Sequence, residues 1–116
     1  MAADAAIKKA LSGLGLPVAR LRWDGGEDAF ITYQILDSYE DDHADDESHA
    51  HIWTYRVDIY KRGDYMSLMQ SAVKALKAAG FYGISIGPEM YENDTKYSHL
   101  PIEADYMEGE TDQWQR

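Results

Sequence analysis

A nine-residue alternation that runs directly into a helix constrains the fold of this chain more than anything else in it. Ile52 to Tyr60 reads Ile-Trp-Thr-Tyr-Arg-Val-Asp-Ile-Tyr. Successive side chains of a strand point to opposite faces, so His51, Trp53, Tyr55, Val57 and Ile59 share one side. Lys61-Arg-Gly63 then turns the chain. Asp64 reads as a helix N-cap, and Met66 to Ala79 has helical apolar spacing closed by Gly80. The unit holds no nucleophile, phosphate loop or ligand set. It defines a fold class and leaves function to be argued from the rest.

The same two periods recur along the chain. Ala2 to Leu14 places Ile7, Ala10, Leu11 and Leu14 on one helical face, stopped by Gly15 and Pro17. That face would serve equally to pack on the chain's own sheet or to reach a neighbour. Leu16 to Trp23 reads as extended, Asp24-Gly25-Gly26 as a turn, and Phe30 to Leu36 as a strand with Ile31, Tyr33 and Ile35 on one side. After the central helix, Phe81 to Ile86 reads as a strand broken at Gly87-Pro88, with Glu89 to Glu92 extending it and Asn93-Asp94 turning. Ser98, Leu100, Ile102, Ala104 and Tyr106 alternate inward along a last strand. Pro101, lacking an N–H, implies an edge position or a bulge there. Glu108 to Arg116 reads as a polar, frayed tail that carries Trp114.

The order α-β-β-α-β-β predicts an α+β fold, two helices packed on a mostly antiparallel sheet. At 116 residues the chain is one domain, placed at 1–107 with a tail at 108–116. A chain of this length buries roughly two-thirds of its unfolded surface, enough for one core. It has no cysteine, so neither a disulfide nor a thiolate-bound metal is expected, and a reducing compartment suits it. No apolar run approaches the ~18 residues of a membrane span, and no signal-peptide core stands at the N-terminus. The expectation is a soluble protein made in the cytoplasm, without membrane contact.

Charge is concentrated in one place. Twenty-one acids against 11 basic residues give a net charge of −10. Asp37 to His49 alone carries −7 with no lysine or arginine, leaving −3 for the other 103 residues. Like charges repel and stay solvated, which predicts a mobile loop over 37–49 between two strands. A connection so long in a compact domain is usually functional or disordered. The overall balance opposes nucleic-acid binding, since phosphate contacts need basic groups on one face. It permits a surface that repels DNA and lets it slide past.

Specific chemistry finds little support. Asp41, Asp42, Asp45, Asp46 and Glu47 offer oxygen ligands beside His43, His49 and His51. Yet the calcium-loop glycine and final glutamate are missing, as is the helical His-x-x-x-His pair of zinc enzymes. A solvated loop that loosely condenses divalent cations is the expectation, with no cofactor. No serine lies in a nucleophile elbow, and Gly13-Leu-Gly15 is a helix stop, not a dinucleotide fingerprint. With 21 acids, some carboxylate pair arises by chance, so no enzyme activity is expected. The tyrosines and tryptophans suit core and cross-strand pairs, with a minority, Trp23 and Trp114 among them, available to anchor an interface. Arg56 and Asp58 read as a cross-strand charge pair.

Leu14-Gly-Leu-Pro-Val18, Phe30-Ile-Thr-Tyr33, Tyr55-Arg-Val-Asp-Ile-Tyr60, Gly63-Asp-Tyr65, Ala79-Gly-Phe81 and Tyr91-Glu-x-Asp-Thr95 together resemble the tail-completion proteins of tailed bacteriophages and prophages. This is the tail-terminator or head-to-tail joining family, and the resemblance spans residues 5–107. It implies a small α+β domain that forms a ring, typically six-fold, at the head-proximal end of the virion tail. Such a ring stops tail-tube polymerisation, and its partners are copies of itself, the tail-tube protein and the head connector. DNA passes through its lumen. Asp41, Asp42, Asp45, Asp46, Glu47 and Trp114 are then the candidate interface or lumen residues. Two other readings stay open: another head–tail connector component, and a small acidic inhibitor that mimics DNA.

Overall fold

Helix α1 (Ala2–Ser12) buries Ala3, Ile7 and Leu11 completely, the apolar stripe expected of it. These coordinates come from a computed structural model that describes residues 2–42 and 49–109. The helix ends where Gly15 takes a φ of +78°, a conformation glycine adopts without strain. Short strand β1 (Val18–Arg20) follows, then β2 (Ala29–Asp42), β3 (His49–Lys61), helix α2 (Met66–Ala78), β4 (Tyr82–Ile86), β5 (Met90–Tyr91) and β6 (Ser98–Gly109). The sheet order is β1-β2-β3-β6-β4, with β5 also on β6. Among the described residues β1 pairs β2 in parallel and the other strand pairs are antiparallel. The fold is α+β as read from the sequence, with both helices on one face of the sheet.

The core lies between that face and the helices. Ile31 and Tyr33, then Tyr55, Val57 and Ile59, then Leu100, Ile102 and Ala104 point into it from three adjacent strands. Ile7, Leu11, Ala72 and Leu76 meet them from the helices. The N-terminal helix therefore packs on its own sheet. Helix α2 begins after Tyr65, which makes no side-chain cap bond; Asp64 Oδ1 instead accepts the N–H of Met66 at 3.0 Å. It closes at Gly80, φ +100°, with the Phe81 N–H donating to the Leu76 carbonyl at 3.0 Å. That pattern satisfies helix-end carbonyls that water would otherwise have to reach.

Four local expectations change. Asp37 to Asp42 are not loop: β2 continues to Asp42, whose register partner is His49, where β3 begins. Glu40 stands opposite His51, so this acidic stretch has no acid directly across from it on β3 and the ladder holds. Glu108 is not in a frayed tail but fully buried near the end of β6. Pro101 lies on no edge strand, since β6 runs between β3 and β4 with β5. Its carbonyl accepts the Gly87 N–H at 2.8 Å, at the break between β4 and β5. In a strand N–H and C=O of one residue point the same way, so the missing N–H falls where no neighbouring strand needs it. Finally, Arg56 and Asp58 pair within one strand, Nε to Oδ1 at 2.9 Å, and not across strands.

Candidate assembly surfaces

Strands β2 and β3 have 14 and 13 residues, about twice the usual strand length. Their pairing runs from Ala29–Lys61 to Asp42–His49, and β6 follows β3 to Ala50–Gly109. The three strands run on together as an arm whose helix side is met by the first turn of α1 at Glu108, the register partner of His51, and the molecule measures 53 × 25 × 22 Å. Beyond Tyr33, β2 has no partner on its outer side among the described residues, because β1 pairs only with Ile31 to Tyr33.

A β-bulge at Leu36, between Ile35 and Asp37, sets what the arm presents. One extra residue reverses the alternation beyond it. Ser38, not Tyr39, now shares the helix side with Trp53, and Ser38 Oγ lies 3.0 Å from His51 Nε2. Tyr39 faces the opposite side, level with Ile52 and Met107. Tyr39 and Met107 are half exposed at 51% and 50%, so an apolar row crosses the arm amid acids.

Of the residues singled out in the sequence, Asp41 and Asp42 occupy the last two positions of β2. Asp45, Asp46, Glu47 and Trp114 lie outside the described residues. Among the described residues no group of three or more His, Asp or Glu is arranged to hold a metal ion.

The sheet face turned away from the helices carries a polar cluster of which the sequence showed only the Arg56 and Asp58 pair. Asp58 is 4% exposed and takes both Arg56 Nε at 2.9 Å and His99 Nε2 at 2.8 Å. Burial alone would raise its carboxyl pKa. The hydrogen bonds from His99 and Arg56, with their charges, outweigh that and hold it below the ordinary value. Tyr60 stacks on His99 at 4.2 Å and on Phe30 at 4.5 Å, and Tyr97 meets both Phe30 and Tyr60 edge-on. Loops close over this end: Tyr97 Oη donates to the Glu27 carbonyl at 2.6 Å, and Arg62 Nε to the Thr95 carbonyl at 2.9 Å. A carboxylate that orients a histidine is half of a general-base device. Here the ring is packed under Tyr60, and no serine or threonine bonds to it among the described residues. The cluster is built to hold strands together.

Two grooves flank the helices. One, of 430 Å³, lies between α1 and β1 and includes Lys8 and Arg20, both already paired with Asp4. The other, of 330 Å³, runs between α2 and the end of β4, lined by Met69, Gln70, Val73, Lys74, Lys77 and Ile86. Lys74 and Lys77 make no ion pair among the described residues. Only the structure shows this second surface, because it joins residues from two elements that face the core elsewhere.

No family model and no curated protein matches the chain. Among solved structures, a chain from the "Virion of native gene transfer agent (GTA) particle" is similar, with a TM-score of 0.47 and 11% identity. The match covers 90% of this chain and 93% of that one.

Proposed function

We propose that this protein is a non-enzymatic structural component of a virion, and specifically that it closes the head-proximal end of a phage-type tail as a ring. The solved chain named above also belongs to a virion; the proposal stands instead on the family resemblance and on the arm. The groove beside α2 on the helix side and the opposite face of the arm at Tyr39 and Met107 give one chain two separate surfaces, which ring formation requires. The same arm ends in the stretch that carries −7 of the net charge of −10. Facing a lumen, that charge would repel phosphates and keep passing DNA from adhering.

Copurification tests the position. The protein is expected to travel with tail tubes and to stop their growth at a fixed length when added to polymerising tube protein. Travel with empty heads instead would move it to a connector role in the same particle. Displacement of DNA from a nuclease or repressor would favour DNA mimicry over both. If the acidic end of the arm mapped to the outer wall of an assembled ring, the lumen role would be lost.

A further inference from the structure

We infer that the groove between α2 and β4 receives the arm of a second copy of this chain, as the repeating contact of the ring. The inference deepens the ring proposal and rests on it. Its basis is that the two surfaces match in both kinds of chemistry. The groove is apolar along Met69, Val73 and Ile86 and bordered by Lys74 and Lys77. The arm is apolar along Tyr39 on β2 and Met107 on β6, and β2 carries Asp37 on the same face two residues before Tyr39. Of the other basic residues, Lys9, Lys61 and Lys96 line neither groove, and the rest that the structure describes are committed: Arg20 and Lys8 to Asp4, Arg22 to Asp24, Arg56 to Asp58, Arg62 to Asp28. The groove lysines are not, so a docked acidic strand would not compete with an existing partner.

The arm cannot fill the groove of its own chain. Ile86 pairs with Ile102, whose row includes Val57, and these residues face the helices. Tyr39 and Met107 lie in the row of Ile52, five residues along β3, and on the opposite face of the sheet. At a strand rise of about 3.4 Å per residue the separation is roughly 17 Å along the sheet, with the sheet itself between. The contact must therefore join different copies. Because donor and acceptor surfaces differ, it is head-to-tail, and such contacts propagate until rotation closes a ring.

The chain has no cysteine, so introduced thiols report contact directly. Tyr39→Cys and Gln70→Cys chains, mixed and mildly oxidised under assembling conditions, are expected to give a disulfide-linked dimer. A mixture of Tyr39→Cys with Asp24→Cys, on the exposed loop before β2, is expected to give none. In parallel, Lys74→Glu with Lys77→Glu should raise the concentration needed for assembly at least about tenfold, as reversal of paired charges at an interface does. Adding Asp37→Lys, on the Tyr39 face of the arm, to that chain should restore part of it. Assembly indifferent to the groove reversal, or no Tyr39–Gln70 disulfide from assembled protein, overturns the inference while leaving the ring intact. Groove variants that block assembly while arm variants do not would assign the groove to a different segment, and also overturn it. Wild-type protein that stays monomeric overturns the ring and this contact together.

Discussion

Glu108 accepts the backbone N–H of Ala3 with one carboxylate oxygen and the indole N–H of Trp53 with the other, the latter at 3.1 Å. One side chain near the end of the last strand thus fixes the first turn of the first helix. A carboxylate at a helix N-terminus meets unsatisfied N–H groups and the positive end of the helix dipole. With Ala3, Ile7 and Leu11 all fully buried, this bond sets where α1 sits on the sheet.

Glu108→Gln tests that anchor. The variant has the same shape, but an amide N–H replaces one acceptor and must face a donor. The expected loss is about 1–3 kcal/mol, the cost of a buried polar group left without its partner. It should appear as a lower urea midpoint at unchanged slope. An unchanged midpoint would show that α1 is held by its apolar face alone.

Asp58 predicts an acid limb in stability. Its carboxyl binds a proton less readily folded than unfolded, being held below the ordinary 3.8. The stabilisation is therefore complete above about pH 4 and is lost as pH falls through the lower, folded value. Asp58→Asn should destabilise the protein at neutral pH by about 2 kcal/mol, since it removes charged partners from Arg56 and His99. It should also flatten the acid limb below pH 4. Parallel acid limbs for both proteins would contradict this account of the cluster.

Leu76 is fully buried where α2 faces the sheet. Leu76→Ala should cost about 2–5 kcal/mol from lost transfer energy and a residual cavity. Thermal unfolding would register it. A loss below 1 kcal/mol would mean that α2 packs less closely than its burial indicates.

Much of the fold was legible because it follows from periodicity. The alternation from Ile52 to Tyr60 and the helical stripes around Ile7 and Leu76 each need only local information. The arm was not legible, because Glu40 to Asp42 look like solvated loop until their register against His49 to His51 is known. Nor does sequence announce the bulge at Leu36 that turns Tyr39 to the outer face. Glu108 was misread for the same reason: a buried acid is recognised by its partner, and Ala3 lies 105 residues away. The groove combines Lys74 and Lys77 on a helix with Ile86 on a strand, a juxtaposition only tertiary structure supplies.

Sedimentation velocity over a concentration series, with and without millimolar magnesium and added salt, tests the central claim most directly. Copies that each carry −10 repel one another, and screening shortens that repulsion to about 10 Å at 0.1 M salt. The account predicts one discrete closed species near six protomers, favoured by magnesium or salt. A monomer that persists at every concentration and ionic strength would contradict a self-assembled ring.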